Sequence, residues 1–359
     1  NEANYPVGKI PPRMTARSFF IPVDVSYKAE VGPIELDVWL EMNYFEKIEE
    51  KFLSEIYEYT PEEISLGANI GTGFGNSVTA TQNDWINVEV PMQTNSSLKN
   101  GFAVIIGNRN YENKDIPQVD YADRDSRTFK TYLTNTFGFS QRNILDLKNA
   151  ELSDFFRVFG KEENAEGQLF KQVSAVKKRT KKEVKVFVFY SGHGAPDLKD
   201  NKAYLVPSDA SVDNIELEGF QLDLLLKNIS KLPTKDITVI LDACFSGNSE
   251  KGSLYKGVSP AMLKVKNLDA MNGVNIFSSS GNDQVSSWYP RARHGVFSYF
   301  FFAGLKGLAD KNKDKVITNR EMIDYLQDKV PEKVGELSNF SREQDPTFSG
   351  RKDAVLLKF

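Results

Sequence analysis

Val184–Gly194 (VKVFVFYSGHG) and Ile237–Gly247 (ITVILDACFSG) decide the fold of this 359-residue chain. Each opens on an apolar run of β-branched and aromatic residues, as a strand buried on both faces of a parallel sheet requires. Each then ends in a turn that contains glycine. Phe102–Gly107 (FAVIIG) and Val274–Phe277 (VNIF) repeat the apolar run, and Asp123–Phe137, Leu169–Val176, Phe220–Ile229 and Phe297–Leu308 carry helical spacing between them. Strands alternating with helices predict an α/β fold: a mostly parallel sheet sandwiched by helices through right-handed crossovers. In such a sheet functional side chains collect at the carboxyl ends of the strands.

Those ends carry the unusual residues. His193 stands between two glycines, and Cys244 lies three residues before Gly247. Glycine leaves room for a ligand's backbone to approach. The 51 residues between His193 and Cys244 accommodate one crossover helix, which puts both side chains on the same rim if the two strands are neighbours. Cys244 is the only cysteine and His193 one of two histidines, so an internal disulfide and a four-cysteine metal site are both excluded. Taken singly, each is an ordinary core thiol or a hydrogen-bonded ring. Core filling explains neither set of glycines, and together the two residues point to a nucleophile and its acid/base partner. His294, in ARHGVFSY, reads as a structural loop residue and as the reserve partner should His193 prove remote.

YSGHG and DACFSG resemble the two motifs of the caspase-like cysteine peptidase clan, and the metacaspase and bacterial caspase-homologue branch more than animal caspases. The likeness extends through Gly101–Tyr111, Tyr121–Leu133, Val206–Ala210, Ser278–Gln284, His294–Tyr299 and Gln344–Gly350. The His-to-Cys separation also matches the roughly fifty residues known for caspases. The resemblance implies a Cys244–His193 dyad working through an acyl-enzyme, with the backbone N–H groups of Gly194 and Cys244 as oxyanion donors. It offers no third residue to orient His193. Animal caspases hold an acidic P1 side chain, the one just before the cut bond, with an Arg whose place is taken here by Val119. The acidic metacaspase pocket instead matches Asp125, Ser191 and Asp242, which implies cleavage after Arg or Lys. Asp283 is a further candidate carboxylate. The competing readings are that Asp242 braces its turn and that Asp125 supports a helix start.

The rest of the chain is plainer. A net charge of -4 with both signs interspersed gives no broad basic surface and argues against nucleic acid as the main partner. The one basic run, Lys177–Lys182, reads as a solvated helix end before a strand. No apolar run is long enough to span a bilayer. The sequence starts at Asn1 without an initiator Met or an apolar leader, so any export signal is removed or was never there, and the compartment stays open.

Residues 1–98 read as a smaller β-rich domain, expected to regulate access or recruit substrates, ahead of the peptidase domain at 99–359. Phe20–Tyr27, Ile34–Met42 and Trp85–Val90 suit strands, while Phe45–Ile56 fits either a helix or a long strand. Gly67–Asn76 lacks the Lys-Ser or Lys-Thr of a phosphate loop and reads as a turn. Asp310–Glu321 (DKNKDKVITNRE) sets Asp310, Asn312, Asp314 and Glu321 at EF-hand calcium spacings, with Lys315 where the loop wants Gly. The rival reading is a capping box of Thr318 and Glu321 that starts a helix. The dyad chemistry itself calls for no cofactor. Asn248–Gly273, with Lys251, Lys256, Lys264 and Lys266, is a candidate self-cleavage loop.

Overall fold

The computed structural model describes residues 32–42, 45–56, 86–94, 96–197, 202–245, 248–249, 252–254, 273–281 and 284–359. Phe20–Tyr27, Gly67–Asn76, Asp283 and most of Asn248–Gly273, its four lysines included, lie outside them. The chain divides into two units, Asn1–Gly75 and Asn76–Phe359. In the first, Gly32–Met42 pairs antiparallel with Phe45–Ile56, so of the two readings of Phe45–Ile56 the strand holds.

The second unit is built on a six-stranded sheet. Its strands are β1 (Phe102–Gly107), β2 (Ile144–Lys148), β3 (Lys185–Ser191), β4 (Asp236–Asp242), β5 (Val274–Ser278) and β6 (Thr347–Ser349). The order is β6-β5-β4-β3-β1-β2, parallel except where β6 runs against β5. The helices are α1 (Ala122–Asn135), α2 (Leu152–Phe159), α3 (Gln168–Thr180), α4 (Leu222–Ile229), α5 (Val296–Ala303) and α6 (Asn319–Ser338).

Side chains alternate across a strand, so each apolar run feeds two cores. Val186, Val188 and Tyr190 of β3 pack with Phe155, Val173 and Leu225 from α2, α3 and α4. Phe187 and Phe189 point the other way, onto Phe129 of α1, Phe301 of α5 and Leu326 of α6. Emptying one of these aromatic positions, as in Phe129→Ala, belongs to a class of change that costs about 3–5 kcal/mol. The same alternation, carried one residue further, turns Ser191 and Asp242 toward the α1 and α5 face, and the two are register partners.

Several elements depart from the sequence reading. Trp85–Val90 forms no strand over its described residues 86–90. Its backbone groups are met by other partners: Tyr299 Oη accepts from Ile86 N–H, Tyr132 Oη donates to Val88 O, and Lys306 Nζ donates to Asn87 O and Val90 O. The expected helix Phe297–Leu308 is regular to Ala303 and then widens into a π turn, within which Gly307 takes φ 103°, a conformation open to glycine. Helix α2, strand β2 and strand β6 are additional. The basic run ends α3 at Thr180, with Lys181 left-handed at the cap and Lys177 paired to Glu183, and so serves as the expected helix end. No helix among the described residues is long and apolar enough to cross a membrane.

Candidate active site

β3 leads straight into His193 and β4 straight into Cys244, and both side chains are buried walls of one cavity. Two phenols hold the histidine's backbone: Tyr111 Oη accepts from its N–H at 2.9 Å, and Tyr190 Oη donates to its carbonyl at 2.6 Å. Burial pushes both phenols far above the ordinary tyrosine range, so they stay protonated. The His193 ring lies 5.0 Å from that of Tyr111, and its Nε2 donates to the carbonyl of Pro117 at 2.7 Å. A carbonyl only accepts, so the proton of the neutral ring is on Nε2 and the lone pair on Nδ1. This partner of the ring is a backbone atom, which leaves no residue-type signal in the sequence.

Cys244 Sγ accepts a hydrogen bond from the backbone N–H of Ser286. The turn after β3 passes so close that a Cβ on Gly194 would sit 2.8 Å from Cys244 O and 2.7 Å from the Phe245 ring. Only glycine lets the two turns meet at this separation.

Asp125, Ser191 and Asp242 line the same cavity, joined by Val119, Asp120, Trp288 and Gly295. Asp125 comes from the first turn of α1, on the stripe that continues through Phe129 and Tyr132 into the core. His294 Nδ1 lies 2.5 Å from its Oδ1, and Gly295 N–H donates to its Oδ2 at 3.2 Å. Ser298 Oγ of α5 donates to Asp242 Oδ2 at 2.6 Å. Burial first, and the neighbouring Asp125 second, push the Asp242 carboxyl up to about 7. Burial also raises Asp125, against the opposing pull of His294 and Gly295. A Cβ on Gly295 would lie 2.4 Å from Asp242 Oδ2, so glycine keeps this floor open. The cavity itself is narrow, about 30 Å³. Asp120, Gly295 and Ser298 were not singled out from sequence. Ser298 could have been, as the residue one helical turn beyond His294.

The calcium-loop candidates Asp310, Asn312, Asp314 and Glu321 are not among the residues that line this cavity. Thr318 caps α6 in a capping box: its hydroxyl accepts from Glu321 N–H at 3.2 Å, and Glu321 Oε2 accepts from Thr318 N–H at 2.9 Å. Asp310, Asn312 and Asp314 turn their oxygens onto N–H groups of their own loop. Lys315 takes the left-handed φ of 65° that this position of an EF-hand asks of glycine. Among the described residues no group of three or more His, Cys, Asp or Glu is placed to hold a metal ion.

A helix-covered parallel sheet with a thiol and an imidazole at adjoining strand ends is the architecture of caspase-like cysteine peptidases. The chain belongs to the caspase-domain family of peptidases, whose family model matches residues 100–354. No curated protein matches it significantly. Among solved structures it is similar to caspase-1 from Spodoptera frugiperda, at 14% identity over 75% of this chain and 95% of that one, TM-score 0.44. It is likewise similar to a structure of pro-sf-caspase-1, at 13% identity over 76% and 95%, TM-score 0.44.

Proposed function

We propose that this chain is an endopeptidase of the metacaspase-like, bacterial branch, cutting after Arg or Lys. Cys244 is the nucleophile and His193 the acid/base. Nδ1 of His193 takes the thiol proton, and the thiolate attacks the scissile carbonyl to give a tetrahedral oxyanion. The N–H groups of Gly194 and Cys244 receive that charge; losing one such donor costs about two to three orders of magnitude in rate. His193 returns the proton to the leaving amine, and water hydrolyses the acyl-enzyme. Nothing in these steps calls for a cofactor. The substrates are proteins or peptides, the lysine-bearing Asn248–Gly273 segment of the chain among them. The N-terminal unit regulates access to the site or recruits substrate.

The observation that carries this reading is the acidic floor. Asp125, Ser191 and Asp242 line the cavity that Cys244 and His193 share, and so does Val119, the position at which the resemblance to animal caspases would put an Arg. Two buried acids side by side are costly to ionise, and a P1 guanidinium or ammonium offsets that cost. Asp283 remains a candidate to join them.

Digestion of a peptide library by the native chain and by Cys244→Ala tests the assignment. Cleavage after Arg and Lys by the native chain alone is expected, together with a peptidyl-Arg electrophile adduct of one equivalent on Cys244. Asp242→Ala is expected to abolish cleavage after basic residues while the fold persists; equal cleavage of acidic and basic substrates by that variant would sink the pocket assignment. Absence of the adduct under every activating condition would leave an interaction module of the same fold. Transfer of the acyl group to an added amine would make the enzyme a ligase.

A further inference from the structure

Behind the acidic floor lies a group that the proposed reaction does not use. His294 is almost fully buried, 1% exposed, with its Nδ1 on Asp125. Its other nitrogen, Nε2, has no hydrogen-bond partner and faces Glu89 Oε1 at 3.9 Å. Glu89 belongs to the irregular strap 86–94 and is itself held by Arg124 of α1 at 2.7 Å. Phe302 stands edge-on to the imidazole at 5.8 Å and closes that side of it. Bonds from Tyr132 and Lys306 tie the strap down on either side of Glu89. The polar groups thus run inward from the strap to the cavity in the order Arg124, Glu89, His294, Asp125.

We infer that His294 is a specificity-positioning residue: clamped between Asp125 in the cavity and Glu89 on the strap, it holds the Asp125 carboxylate in register for a basic P1 side chain. The inference rests on the Arg/Lys reading proposed above. With Oδ1 on the imidazole and Oδ2 on Gly295 N–H, the carboxylate is tethered at both oxygens and cannot swing. His294 does not line the cavity, so its effect on substrate passes through Asp125. A buried carboxylate that loses such a partner takes up a proton or turns away, and either change removes half of the cation's counter-charge.

Steady-state hydrolysis of a peptidyl-Arg fluorogenic substrate by the native chain, His294→Leu and His294→Asn tests this. Leu removes the donor, while Asn keeps one where Nδ1 stands. His294→Leu is expected to raise KM about tenfold or more with kcat within about threefold, as loss of a charge-assisted hydrogen bond to the binding group would do. His294→Asn is expected to bring KM back to within about threefold of native, a rescue that a merely space-filling role would not give. An unchanged KM in His294→Leu, a loss confined to kcat, or an Asn variant as impaired as Leu would overturn the inference. Should His294→Leu fail to fold, Glu89→Leu on the half-exposed side of the clamp decides: KM raised about threefold at unchanged kcat supports it, and an unchanged KM overturns it. A native enzyme that cleaves after Arg while these variants behave as native would sink the role of His294 alone. One that prefers a non-basic P1 residue would sink the P1 reading and this inference with it.

Discussion

Asp242 shows how much a single position inherits from its surroundings. Its carboxyl is raised from an ordinary 3.8 to about 7, by burial and by Asp125 facing it across the cavity floor. Only the ionised form pairs with a guanidinium. KM for a peptidyl-Arg substrate is therefore expected to fall as pH rises through about 7; a KM flat between pH 5.5 and 8.5 in the native chain would contradict it. The sign for stability is opposite. The folded carboxyl binds its proton more tightly than the unfolded one, so its contribution is complete below about 4 and is lost as pH rises through about 7. Asp242→Asn is accordingly expected to flatten the fall in melting temperature across that window.

At the scale of elements, the two faces of the sheet follow from strand alternation alone. Parity along β3 and β4 sends Ser191 and Asp242 to the side where α1 presents Asp125, which makes an acidic pocket the natural product of this register. Helix α6 is set by its start: the Thr318–Glu321 capping box satisfies N–H groups that a helix terminus leaves bare. Thr318→Ala is expected to cost about 1 kcal/mol, a melting-temperature loss of roughly 2–4 °C in a unit of this size, with kcat/KM unchanged. Because Glu321 is engaged in that box, millimolar calcium is expected to leave the native melting temperature where it is; a rise would make Asp310–Glu321 an ion-binding loop after all. Helix α2 escaped the sequence reading because its eight residues carry only Phe155, Val158 and Phe159 inward, too short a stripe to stand out before the sheet covers it.

For the whole molecule, the irregular strap matters more than its lack of secondary structure suggests. The second unit begins at Asn76 and buries Val88 in the same core as Phe129 and Phe302. A chain beginning at Asn76 is expected to unfold in urea as the full catalytic unit does. One beginning at Gly101 is expected to be less stable by about 2–4 kcal/mol, through loss of the Val88 side chain and of the Tyr132 hydroxyl's partner. Equal midpoints would show the strap to be dispensable. The sequence by itself determined the sheet, its central strands and the placing of Cys244 and His193 at strand ends, because residue type and period act locally; the trio Asp125, Ser191 and Asp242 came only from the family resemblance. Only the tertiary structure decided what those residues lean on: the Pro117 carbonyl on His193, the Ser286 N–H on Cys244, Ser298 on Asp242 and His294 on Asp125. These partners are backbone atoms or side chains far off in sequence, and they acquire a role only when the sheet brings them within a hydrogen bond's reach.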